Sequence, residues 1–102
     1  MFNQTFCVTF IYDEDFGFIT QVVFKGLDHK GIPNLDFYVD ISYDADMKPM
    51  IEEAEDDITV TLSEQGMYDD PEYHINFVYV DNSGYARVYT NEHFDILEDW
   101  VE

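Results

Sequence analysis

The chain predicts an α+β fold, with an antiparallel β-sheet of about five to six strands and a C-terminal helix packed on it. Residues 1–102 read as a single acidic domain. Three patterns carry that expectation. Phe6, Val8, Phe10 and Tyr12 alternate with Cys7, Thr9 and Ile11, the period of two expected of a half-buried strand. Leu35, Phe37, Val39, Ile41 and Tyr43 alternate with Asp36, Tyr38, Asp40 and Ser42 in the same way. After Asn91, Phe94, Leu97 and Val101 switch to helical spacing, flanked by Ile96 and Trp100. A β-sandwich is the alternative should the helices prove minor.

Taken in order, Asp13-Glu14-Asp15 reads as a turn and Phe16–Lys25 as the returning strand. Gly26–Asn34, with two glycines and Pro33, has the composition of a loop. Leu35–Tyr43 is the clearest strand. Pro49 suits the first position of a short helix over Met50–Asp56, whose acidic end, Glu55-Asp56-Asp57, opposes the helix dipole. Ile58, Val60 and Leu62, alternating with Thr59 and Thr61, predict a further strand. Ser63–Pro71 is a loop around Gly66. Tyr73–Val80 and Tyr85–Thr90 are strands joined by Asp81-Asn82-Ser83-Gly84, the best hairpin signal in the chain. Asn91 is the expected N-cap of the final helix.

Charge dominates the composition. Twenty-three Asp and Glu stand against four Lys and Arg in 102 residues, a formal net charge of −19. Apolar residues make up 46% and aromatics 18%, too hydrophobic for an acidic disordered tail. Each buried aromatic removes roughly 150–250 Å² from water, enough for a few to offset much charge repulsion. Lys25, Lys30, Lys48 and Arg87 are too few and too scattered to bind nucleic acid or an anionic membrane directly. The longest apolar run is Phe77-Val78-Tyr79-Val80, and the first residues lack the basic stretch of a secretory signal. Cys7 is the sole cysteine and reads as a small buried hydrophobe suited to a reducing cytoplasm.

None of the residue groupings carries a catalytic or metal signature. From Asp44 to Glu55 the acids have the length of an EF-hand loop. However, Lys48 and Pro49 occupy the fifth and sixth positions, where a ligand and a glycine belong. A solvated acidic loop is the expectation. His29, His74 and His93 form no close ligand pair, and His74 falls on the exposed phase of its strand. Close carboxylate pairs are expected by chance among so many acids. No catalytic residue, cofactor or metal is therefore assigned.

The acids instead form clusters. Asp36, Asp40 and Asp44, spaced by four along one strand face, would make a line about 27 Å long, interleaved with Tyr38 and Ser42. Asp46 follows; Glu52, Glu53, Glu55, Asp56 and Asp57 form a second group, and Asp69, Asp70 and Glu72 a third. Asp13, Glu14 and Asp15 make a fourth, and Glu98, Asp99 and Glu102 a fifth. Solubility is met by a net charge of about two to eight on a small domain, so it leaves most of this excess unaccounted for. Duplex DNA carries one charge per roughly 1.7 Å of axis, a field that carboxylates gathered on one face can approximate. The residues from Asp36 to Glu72 named above, with Tyr38, are the expected partner-binding set. Tyr43, Tyr68 and Tyr73 are further candidate anchors.

In size, acidity and aromatic content the whole chain resembles the small acidic DNA-mimic inhibitors of phages and mobile elements, including anti-restriction and anti-CRISPR proteins. That group shares no common motif, so no residue role carries across. The resemblance implies a cofactor-free inhibitor in the cytoplasm of an infected bacterium. It would occupy the basic DNA- or RNA-binding channel of a CRISPR effector, restriction enzyme or other nuclease complex, with a homodimer as an option. The other readings are an immunity protein against a toxin nuclease and a structural protein of a salt-rich cytoplasm.

Overall fold

A computed structural model of the chain describes residues 2–68, 70, 72–91 and 94–101. Strands β1 (Phe2–Asp13), β2 (Phe18–Leu27) and β3 (Pro33–Asp40) form a meander. Helix α1 (Ile51–Glu64) then crosses the sheet to β4 (Tyr73–Val80). β5 (Ala86–Thr90) returns beside β4, and the short helix α2 (Ile96–Trp100) ends the described chain. The five strands lie in the order β3-β2-β1-β4-β5.

The sheet is mixed, not antiparallel: β1 and β4 run parallel, from Phe2↔Tyr73 to Cys7↔Val78. The reason lies in residues 58–62, which belong to α1 and form no strand. A helix that crosses one face of a sheet returns the chain in the direction of the strand before it. β4 therefore runs with β3, and with β1, which is antiparallel to β2 as β3 is. The main helix is this central one. Ala54, Ile58 and Leu62, at i, i+4 and i+8, bury against the sheet, whereas Val60 is 54% exposed. A period-two reading and a helical one share positions 58 and 62, and Val60 separates them. Glu55, Asp56 and Asp57 consequently lie within the helix, not at its C-terminal end. Glu52 and Glu53 occupy the first turn, where the dipole favours anions.

Both helices cover the same face. Beneath them, Phe6, Phe24, Phe37 and Phe77 form a four-ring cluster. The rings of Phe24 and Phe37 stack at 4.7 Å and those of Phe6 and Phe77 at 5.6 Å, while Phe6 meets Phe24 edge-on. Ile96 and Leu97 seat α2 on this core. Its outer side is clasped to β5: Tyr89 donates from its hydroxyl to Asp99 Oδ2 at 2.7 Å and accepts from Trp100 Nε1 at 3.0 Å. Arg87 sits 5.1 Å over the Trp100 ring. The N-cap of α2 is Asp95, not Asn91, and its side chain makes no capping bond.

The opposite face of the sheet carries no helix. Strand alternation places Cys7 there, exposed, because Phe6 and Val8 take the core side of β1. The expectation of a buried thiol fails on that parity. Tyr12 is exposed as well, beyond a bulge at Ile11/Tyr12. Among the expected anchoring tyrosines, Tyr38 is 61% exposed. Tyr43, Tyr68 and Tyr73 instead pack against the core, and burial raises the phenol pKa of Tyr43, whose hydroxyl donates to Ile19 O.

Part of the segment expected as a loop after Lys25 is strand. β2 runs to Leu27 and β3 begins at Pro33. Gln4, 1% exposed, exchanges two side-chain hydrogen bonds with Asn34, at 3.1 and 2.8 Å. Gly26 lies against this pair: an added Cβ would stand 2.5 Å from Leu35 O and 2.7 Å from Gln4 Nε2. Gly26→Ala is expected to lower stability by about 2 kcal/mol or more through backbone displacement and disturbance of the buried amide pair. Urea unfolding followed by circular dichroism measures it; an unchanged midpoint would contradict this packing.

Candidate acidic interface

α1 divides its surface by residue spacing. Opposite the buried Ala54–Ile58–Leu62 row run two rows of carboxylates, Glu52–Asp56 and Glu53–Asp57, the latter row extending to Glu64. Members of each pair stand four apart, so like charges face each other along the helix at a cost of about 0.2–0.5 kcal/mol per pair. Two grooves flank these rows. One, of about 630 Å³, is lined by Asp44, Pro49, Met50, Ile51, Glu52, Glu53, Asp56 and Glu98. The second, of about 470 Å³, lies between α1 and the edge strand β3, lined by Tyr38, Val39, Asp40, Ser42, Glu53, Asp57, Val60, Thr61 and Glu64.

The grooves share Glu53, so eight carboxylates line a continuous surface, and no Lys, Arg or His among the described residues lines either groove. The 14 residues of α1 span about 21 Å. Five of the eight carboxylates lie on α1, one per roughly 4 Å of that length, close to the 3.4 Å of a single DNA strand; Asp40, Asp44 and Glu98 flank them from other elements.

The residues expected from sequence divide among several places. Asp40, Asp44, Glu52, Glu53, Asp56, Asp57 and Tyr38 meet at the grooves. Asp36 lies on the face of β3 away from the helices, paired in register with Lys25. The expected straight line Asp36–Asp40–Asp44 is broken, because β3 ends at Asp40 and the chain turns after Tyr43. Asp44 begins that turn: its Oδ1 accepts from the backbone N–H groups of Asp46 and Lys48, leaving Asp46 exposed on the loop. Asp70 does the same for Glu72 N–H near the start of β4, away from the grooves. Asp69, like His93 and Glu102, lies outside the described residues.

The same side-chain turn recurs at Asp13, Asp28 and Asp81, each accepting two backbone N–H bonds. The bond from Ile32 N–H is the chief cause that holds the Asp28 carboxyl below its ordinary pKa. Five aspartates thus have a local job in shaping turns, which accounts for part of the acid excess without a partner. Glu64 and Glu98 complete the grooves and were missing from the expected set. Reading 58–62 as helix would have found Glu64, seven residues beyond Asp57 on the same side.

Glu55 has a different environment. It faces α2, and its carboxyl is hydrogen-bonded to Glu98; Oε1 is buried with no partner among the described residues. Desolvation first, then the bond to Glu98 and the charges of Glu98, Asp95 and Glu52, push the Glu55 pKa up to about 8. Near neutrality Glu55 therefore keeps its proton where α1 meets α2. Among the described residues no group of three or more His, Cys, Asp or Glu is arranged to hold a metal ion. No helix among the described residues is long and apolar enough to cross a membrane. Compared with protein-family models, curated proteins and solved structures, the chain matches none.

Two outcomes follow from this electrostatic arrangement. The folded pKa of Glu55 lies above its ordinary 4.5, so the native state binds the extra proton. The stabilisation from that proton is complete below about pH 4.5 and is lost as pH rises through about 8. Thermal melts should show Tm falling across that window, with a shallower fall in Glu55→Gln; identical slopes would exclude the raised pKa of Glu55. Asp57→Lys, which replaces repulsion of Glu53 with an i,i+4 attraction, should raise stability by about 0.5–1 kcal/mol at low salt, and less at high salt. A destabilised variant in the same melts would contradict the like-charge rows.

Proposed function

We propose that this chain is a nucleic-acid-mimicking inhibitor whose α1–β3 face occupies the basic DNA- or RNA-binding channel of another protein in the cytoplasm. The observation that carries the reading is the pair of grooves meeting at Glu53, lined by eight carboxylates and by no Lys, Arg or His among the described residues, with a charge spacing along α1 close to that of a single DNA strand. The like-charge rows on α1 work against folding, so a role in binding accounts for what stability does not. A channel lined by Lys and Arg would exchange bound counterions for these carboxylates as it does for phosphates. The field would also steer the encounter at low ionic strength. Tyr38, exposed beside Asp40, supplies aromatic contact area at the groove rim. The inhibitor reading needs no cofactor; the target would be a nuclease complex or another basic DNA-handling protein.

The immobilised chain is expected to retain DNA- or RNA-binding proteins from a bacterial lysate and to release them as salt rises. A retained protein bound to a fluorescent duplex should lose it to the wild-type chain. A variant carrying Asp40→Asn, Glu53→Gln, Asp56→Asn and Asp57→Asn should displace it at least ten-fold less well, with circular dichroism confirming that the variant is folded. An eluate without nucleic-acid-binding proteins, or equal displacement by the variant, would overturn the reading.

A further inference from the structure

The helix-free face of the sheet differs from the rest of the surface in charge. Register places Val88, Val78, Cys7 and Lys25 side by side across β5, β4, β1 and β2. In the next row Val23 lies between Thr9 of β1 and Tyr38 of β3. Val88 is 60% exposed on this face. The carboxylates that share the face, Asp36 and Asp40, both lie on the edge strand β3, with Lys25 beside one and the Gln21 amide donating to the other. In a chain of net charge −19, the acids on this face are thus confined to its β3 edge.

We infer that this face is the contact surface for a second copy of the same chain, packed sheet to sheet about a two-fold axis. A second copy carries the same −19 charge and is repelled from the grooves, the turns and α1; the part of the sheet face formed by Val88, Val78, Cys7 and Thr9 lets it approach without opposing carboxylates. The area is sufficient: five strands about 4.8 Å apart and about eight residues long give a face on the order of 500–600 Å² per copy. Two such faces bury about 1,000–1,200 Å², at the lower edge of stable interfaces. Aliphatic and threonine side chains from two facing sheets interdigitate as in sandwich cores. The carboxylates of α1 then lie on the two outer sides of the dimer, with Tyr38 and Asp40 of the edge strand β3 at the margin of the contact. The inference stands without the inhibitor reading, since it concerns the purified chain alone.

Sedimentation equilibrium of the purified chain at micromolar concentrations tests it. A dimer of about 24 kDa, twice the 12.1 kDa chain, is expected. Its association should strengthen several-fold between about 20 and 500 mM salt, because screening weakens repulsion between like-charged copies. That direction is opposite to the salt-weakened capture of a basic partner, so failure of one is distinguishable from failure of the other. Val88→Asp and, separately, Thr9→Asp should each give a folded monomer by circular dichroism and mass. The Cys7 thiol should react several-fold faster with maleimide in those monomers than in the wild-type dimer. A wild-type monomer under all these conditions would overturn the inference, as would a dimer that keeps its mass in both folded variants or leaves Cys7 unprotected.

Discussion

The seating of α1 on the sheet is the contact on which the rest of the molecule depends. Ala54, Ile58 and Leu62 bury along one side of the helix, above the cluster of Phe6, Phe24, Phe37 and Phe77. That burial holds two rows of like charges on the other side in fixed register. Without it, Glu52, Glu53, Asp56 and Asp57 would repel one another out of a helical arrangement. Each large apolar side chain withdrawn from water contributes about 1.5–3 kcal/mol, against a few tenths for each repulsive pair. Hydrophobic burial therefore wins locally, and the charge rows persist as a rigid surface feature.

The same helix determines the topology and the site together. Its crossing makes β4 parallel to β1, leaves β3 as a free edge, and brings the helix alongside that edge to form the second groove. Acids on β3 also discourage the free edge from pairing with another strand. One side of the molecule thus carries both helices and the grooves, and the other carries a broad sheet face whose acids are confined to its β3 edge. The raised pKa of Glu55 lessens the charge repulsion where α1 meets α2.

Local patterns in the sequence resolved β1, β3, the β4–β5 hairpin and the exposed side of His74, because each depends on neighbours within a few residues. Failures arose where two periods coincide or where partners are distant. Ile58 and Leu62 suit a strand or a helix equally, and only the exposure of Val60 distinguishes them. That one ambiguity also hid the parallel pairing and the place of Glu64. Cys7 was misplaced although the alternation of Phe6 and Val8 already assigns it to the other face. The acid clusters were visible as composition, but composition does not separate turn-forming aspartates such as Asp13, Asp28 and Asp81 from groove carboxylates. Both are short acidic runs; only the backbone N–H groups that the former accept reveal the difference.

Carboxyl footprinting of a complex between this chain and a captured basic partner would show whether α1 and β3 form the contact. Carbodiimide-driven labelling of Asp and Glu would be compared by mass spectrometry with and without the partner. The account expects protection concentrated at Asp40, Glu53, Asp56 and Asp57, with Asp13, Glu14 and Asp81 labelled as in the free chain. Protection centred on those turns, or none on α1, would contradict it.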